Sequence, residues 1–183
     1  MDKEQLQERL KKLGAYIKKL DFHNTFLEES PACPMDSLMV SLRVAEELSI
    51  DISCNFIDVP DMGTMLQFYG QLQLDGMLNE AAVPVSDFDI LCLINELNRM
   101  LPIGQMNYMS DEREDMEAEK ALGIRYTILT DLESESEMKK CVHILMLLTQ
   151  IYEILCSSLL LLLDGESVGK VLETIKNLLD IQE

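Results

Sequence analysis

The apolar periodicity of this chain changes along its length in a fixed order: one helical stretch, three alternating stretches, a helix, two alternating stretches, then a long apolar helix. A period near 3.6 and a period of two cannot bury the same residues on one face, so each change of period marks a change of element. The order predicts an α+β domain with an antiparallel five-stranded sheet, α-β-β-β-α-β-β-α plus a C-terminal helix, and helices mainly on one face. At 183 residues one domain spanning 1–183 suffices: an N-terminal helix over 3–20, a sheet with an inserted helix over 37–131, and C-terminal helices over 133–183.

Leu6, Leu10, Leu13, Ile17 and Leu20 recur at steps of four and three, the stripe of an amphipathic helix. Pro31 and Pro34 mark a loop, after which Leu38, Val40, Leu42 and Val44 alternate with Met39, Ser41 and Arg43. Ile50, Ile52, Cys54 and Phe56 repeat the alternation, as do Leu66, Phe68, Gly70, Leu72 and Leu74, with Asp75-Gly76 reading as a turn. Short links between these three strands imply a meander. Ser86 with Asp89 resembles a capping box ahead of the stripe Ile90, Ile94, Leu97 and Leu101. Ile103 to Ser110 and Gly123 to Thr130 read as the last two strands, with Ile124, Tyr126 and Ile128 on one face. The charged run 111–120 between them reads as a solvated hairpin tip. The acidic run Asp131 to Glu137 suits a helix N-terminus, and Ser167 suits the cap of a final helix.

The formal net charge of -18 repels phosphate backbones and anionic headgroups, which argues against nucleic acid as a partner. Residues 1–20 run against this trend with a balance of +3, so the first helix is expected to dock on its own acidic body. Its charged amphipathic character is not that of a secretory leader, and the five cysteines Cys33, Cys54, Cys92, Cys141 and Cys156 form no C-x-x-C pair. Both features fit a reducing, cytoplasmic setting. The segment Val142 to Leu163 has the length of a membrane span, yet His143, Gln150 and Glu153 interrupt it. A core helix or an oligomer interface is the better reading than a span.

No catalytic, cofactor-binding or metal-binding set emerges. Gly165, Gly169 and Lys170 are close to a phosphate-binding loop, but the glycine spacing is one residue short and Val171 stands where Ser or Thr is needed. Cys141 and His143 are two apart on a helix and point to opposite sides, so they cannot share a proton and read as packing residues. Two histidines without ligand spacing make no zinc site, and 111–120 lacks the order of a calcium loop.

The twelve methionines include Met39 and Met65 on the strand parity opposite the core, shared by Ile57 and Tyr69. Among serines, glutamines and asparagines these four make a half-apolar surface suited to association, unless a terminal helix covers it. They are the candidate partner-binding residues.

The element order, with segments such as LMVSLRVAEE, LQFYGQLQL and IRYTILTD, resembles the type III secretion chaperone-like fold and the related YbjN-like bacterial proteins described as sensory transduction regulators. The resemblance spans roughly residues 3–163 and implies a non-catalytic, often dimeric scaffold that holds a segment of another protein. The expected function is therefore protein binding or a chaperone-like regulatory role, with a protein partner or a homodimer. The alternative is a small enzyme or ligand-binding domain with a pocket between sheet and helices.

Overall fold

The computed structural model describes residues 2–44, 48–59, 61, 63–101, 104–111 and 119–179. The elements follow in the order α1 (Lys3–Lys18), β1 (His23–Leu27), β2 (Ser37–Arg43), β3 (Ser49–Val59), β4 (Gly63–Gln73), α2 (Asp75–Asn79), α3 (Asp87–Met100), β5 (Gln105–Asp111), β6 (Glu119–Leu129), α4 (Glu135–Leu163) and α5 (Val168–Leu178). The fold is α+β, as its periodicity predicts, but the sheet has six strands rather than five, in the order β1-β2-β3-β4-β6-β5. The chain divides into two compact units, residues 1–71 with 125–149 and residues 72–124 with 150–183.

In the first unit α1 opens on a reciprocal cap: Asp2 Oδ1 accepts from Gln5 N at 2.9 Å and Gln5 Oε1 accepts from Asp2 N at 3.3 Å. Its stripe buries Leu10, Leu13, Gly14 and Ile17. Asp21, at φ 61°, turns the chain into β1, the strand that the periodicity missed. The reason is local: His-Asn-Thr-Phe-Leu has no apolar alternation, and the strand forms by pairing antiparallel with β2, His23 against Ser41 through Leu27 against Ser37. The basic helix docks on its own chain as expected. Lys3 meets Glu29 at 2.7 Å, Lys11 lies 4.7 Å from the Phe26 ring centre, and Arg9 donates to the Asp131 carbonyl and to Glu133.

Strands β2, β3 and β4 form the predicted antiparallel meander, with Leu38 opposite Cys54 and Cys54 opposite Phe68. One parity is the core: Leu38, Val40, Leu42, Ile50, Ile52, Cys54, Leu66 and Phe68 are buried, along with Cys141, Leu145 and Leu148 of α4. Helix α1 approaches this face so closely that a Cβ on Gly14 would meet Leu38 Cδ1 and Asn24 Oδ1 at 2.9 Å. At the other end of the unit α4 begins seven residues before Val142, because Ser134 and Glu137 cap it reciprocally. Glu137 N donates to Ser134 Oγ at 3.3 Å, and Ser134 N donates to Glu137 Oε2 at 3.1 Å.

In the second unit Ser86 caps α3 as expected, accepting from Asp89 N at 3.2 Å, and α3 buries Ile90, Leu93, Ile94 and Leu97. The Asn98 amide donates to Met106 O at 3.0 Å and accepts from Met106 N at 2.9 Å, tying α3 to β5. Asp75-Gly76 does not make the predicted turn. It starts the short helix α2, where the Asp75 carboxylate accepts from Lys120 N at 3.2 Å. Strand β6 begins four residues before Gly123, and the charged run between β5 and β6 lies, over 112–118, outside the described residues. Gly165, at φ 97°, ends α4, and Ser167 caps α5 by accepting from Lys170 N at 3.4 Å.

Helix α4 contributes its first half to one unit and its second half to the other. It is long and apolar enough to cross a membrane by length and composition. Its exposed positions are confined largely, beyond the first two turns, to one stripe at steps of three and four: His143, Met146, Gln150, Glu153, Ser157 and Leu160. Four of these six are polar, and the leucines and isoleucines turned away from the stripe fill the core.

Candidate functional site

The face of the sheet opposite the core carries all four candidate residues, because antiparallel register keeps directly paired residues on one side. Thr25, Met39, Ser53 and Tyr69 form one row across β1 to β4, Asn55 and Gln67 a second, and Ile57 and Met65 a third. Met39, Ile57, Met65 and Tyr69 are half-buried, more sheltered than side chains on a bare surface. Ser53 Oγ donates to the Tyr69 carbonyl at 3.2 Å, and the Tyr69 hydroxyl donates to Gln71 Oε1 at 3.2 Å. The guanidinium of Arg125, from β6, lies 5.8 Å from the Tyr69 ring centre.

Asn55 is a buried polar residue of this face, 7% exposed, as is Ser37 at 5%. Its Nδ2 contacts Met35 Sδ from the loop before β2, and its Oδ1 has no hydrogen-bond partner among the described residues. Charge is sparse here. Strands β2 to β4 contribute Asp51, held by the Ser41 hydroxyl, and Arg43, while β6 contributes Arg125. In a chain with 33 acidic and 15 basic residues, the described outer-parity positions of β2, β3 and β4 carry one carboxylate, Asp51, beside the guanidinium groups of Arg43 and Arg125.

Arg125, Asn55 and Gln67 belong to this surface and were not singled out in the sequence. Parity alone places Asn55 and Gln67 beside Ile57 and Met65. Arg125 alternates with Ile124 and Tyr126, so it too could be assigned to the outer parity; its stacking on Tyr69 needed the strand order.

Three buried thiols and one ion-paired cluster elsewhere are held away from reactivity. Burial pushes the Cys54 thiol strongly up, and it pushes Cys141 up to about 12 and Cys156 to about 11. Cys141 is buried while His143 sits on the exposed stripe of α4, so the two do point apart, and His143 is not a packing residue. Lys120 Nζ donates to Asp87 Oδ1 at 2.6 Å, with the Tyr108 hydroxyl beside the pair. The bond to Asp87 raises the lysine, the bond from Lys120 lowers the aspartate, and burial with Asp87 raises the tyrosine. Each shift moves its group further from neutrality, so the cluster is an ion pair tying β6 to α3 rather than an acid–base pair.

Lys170 bonds Glu166 at 2.6 Å and Gly165 serves as the break after α4, which accounts for the residues of the incomplete phosphate loop. Among the described residues no group of three or more His, Cys, Asp or Glu is placed to hold a metal ion. A shallow groove of about 440 Å³ lies between α3 and α5, lined by Glu96, Met100, Gly169, Leu172, Glu173 and Lys176. It is not a pocket between sheet and helices, and Glu96 in it already binds Arg99 at 2.8 Å.

No family model matches the chain. No curated protein matches it either. Among solved structures the chain is similar to the crystal structure of YbjN, "a putative transcription regulator from E. coli", at 12% identity and a TM-score of 0.42, over 79% of this chain and 88% of that one. YbjN-like proteins are also among those that the order of elements resembles.

Proposed function

We propose that this chain is a non-catalytic protein-binding scaffold of the cytoplasm that takes its partner on the outer face of β2, β3 and β4. The observation that carries the reading is that face itself: Met39, Ile57, Met65 and Tyr69 stand among neutral polar side chains, with one carboxylate, on an otherwise acidic chain. Burying such a face costs little charge desolvation and gains apolar area, whereas the carboxylate-rich remainder of the exterior would have to strip hydrated charges. Adaptable methionines suit an apolar contact of variable shape. The partner is a protein, a second copy of the chain included. The five cysteines are all unpaired, in keeping with a reducing compartment.

Affinity capture from the native host, with the wild-type chain and a Met39→Glu/Met65→Glu variant of matched circular dichroism, tests the reading. The expected result is a stoichiometric protein recovered with the wild type and lost with the variant. Equal recovery with both would move binding off this face.

A further inference from the structure

We infer that the segment taken by this face is acidic, and that Arg125 selects it by receiving a carboxylate. The inference rests on the reading above that the face binds protein, and it adds the chemistry of the partner. Arg125 is exposed, shares the outer parity of β6 with Thr127 and Leu129, and lies 5.8 Å from the Tyr69 ring centre. Among the described residues its guanidinium makes no hydrogen bond or ion pair. Other cations of this acidic chain do find a carboxylate: Arg9 meets Glu133, Arg99 meets Glu96, Lys120 meets Asp87 and Lys170 meets Glu166.

Covering the face decides the sign of the partner. A protein laid over Met39, Met65 and Tyr69 also shuts Arg125 away from water, and a guanidinium buried without an acceptor is costly. A neutral or basic segment leaves it in that state. A carboxylate gives the planar fork two acceptors while the Tyr69 ring backs the guanidinium. A basic side chain would find only Asp51 on β2 to β4, already held by the Ser41 hydroxyl. Register adds a spacing: Met65, opposite Ile57, precedes Tyr69 by four residues on β4, or about 13 Å at 3.3 Å per residue. An extended segment lying along β4 therefore carries its apolar anchor and its carboxylate on one side, four positions apart.

Selection of a displayed library of random peptides of about 12 residues, long enough to run along β4, on the full chain tests this. The wild type should enrich peptides with Asp or Glu four positions from an apolar residue, in spite of the repulsion from its net charge of -18. Fluorescence anisotropy of an enriched peptide should show binding weakened about 10-fold or more by Arg125→Gln and only partly kept by Arg125→Lys, which lacks the fork. Met146→Glu, on the outward stripe of α4, should leave it unchanged. Enrichment of neutral or basic peptides, no enrichment, or an acidic preference that survives Arg125→Gln would each overturn the inference. A host protein lost with Met39→Glu/Met65→Glu but held equally by wild type and Arg125→Gln would also overturn it, and would leave the scaffold reading standing. Peptides and host proteins both indifferent to Met39→Glu/Met65→Glu would defeat both.

Discussion

Glu137 is the side chain whose removal should be felt most at the β6–α4 junction. Its Oε2 accepts from Glu133 N at 3.0 Å, Ser134 N at 3.1 Å and Ser134 Oγ at 3.2 Å, and its Oε1 accepts from Thr130 Oγ1 at 2.9 Å. Against the upward push of burial, the bonds from Ser134 and Thr130 hold this carboxyl at about 2 instead of 4.5. Proton linkage equates that depression with about 3 kcal/mol at most, and solvent near the helix terminus cuts it to about 2 kcal/mol. Glu137→Gln keeps the length but turns one acceptor into a donor facing donors. The expected loss is about 2 kcal/mol at pH 7, or about 4–8 °C in Tm for a chain of this size.

The sign of the pH dependence follows from the depressed carboxyl. Its stabilisation is complete above the unfolded value near 4.5 and drains away as pH falls toward the folded value near 2. The difference between wild type and Glu137→Gln, measured by urea unfolding with circular dichroism, should stay near 2 kcal/mol from pH 7 to pH 5.5 and drop below about 1 kcal/mol at pH 3. A gap of equal size at pH 3 and pH 7 would mean that the variant acts through packing, and the charge argument would be wrong.

Gly14→Ala should lower stability by about 1–3 kcal/mol in spite of alanine's better helix propensity, since its Cβ meets Leu38 and Asn24 at 2.9 Å; a thermal melt reads this directly. Gly169→Ala should do the reverse, raising stability by about 0.5–1 kcal/mol in the same assay, because a Cβ there meets nothing within 4 Å on a helical residue. Alkylation of the native chain followed by mass spectrometry should modify the half-buried Cys33 and Cys92 well before Cys54, Cys141 and Cys156; early loss of the Cys54 thiol would contradict its burial.

Elements whose side chains choose between core and solvent were legible in the sequence, and those held by backbone or by distant partners were not. Strands β2, β3 and β4 declared themselves because Leu38, Ile52 and Phe68 face a core on one side only, which enforces alternation. Strand β1 lies at the edge of the sheet with side chains no more than half-buried, so nothing in His23 to Leu27 records its pairing. Asp75-Gly76 has the composition of a turn, but the Asp75 carboxylate accepts from the backbone of Lys120, 45 residues on, and a helix starts there instead. For the candidate site, parity was enough to group Met39, Ile57, Met65 and Tyr69, while the Arg125 stack depended on β6 lying beside β4.

The two apolar features that stood out in the sequence have different fates, and the difference narrows where function can lie. Helix α4 was the larger hydrophobic demand, yet Leu145, Leu148, Ile151, Leu155, Leu159 and Leu162 are all buried, and the stripe left outside is mainly polar. Much of its hydrophobicity is spent within the fold, with Met146 and Leu160 left exposed. The outer sheet face was the smaller demand, and its rows are set by strand pairing that would persist whatever those side chains were. Folding places few requirements on Met39 or Met65 beyond strand propensity, which threonine or valine would meet equally well. A neutral, methionine-bearing face on a chain that carries a carboxylate at nearly one position in five is therefore better explained by what it meets than by what it stabilises.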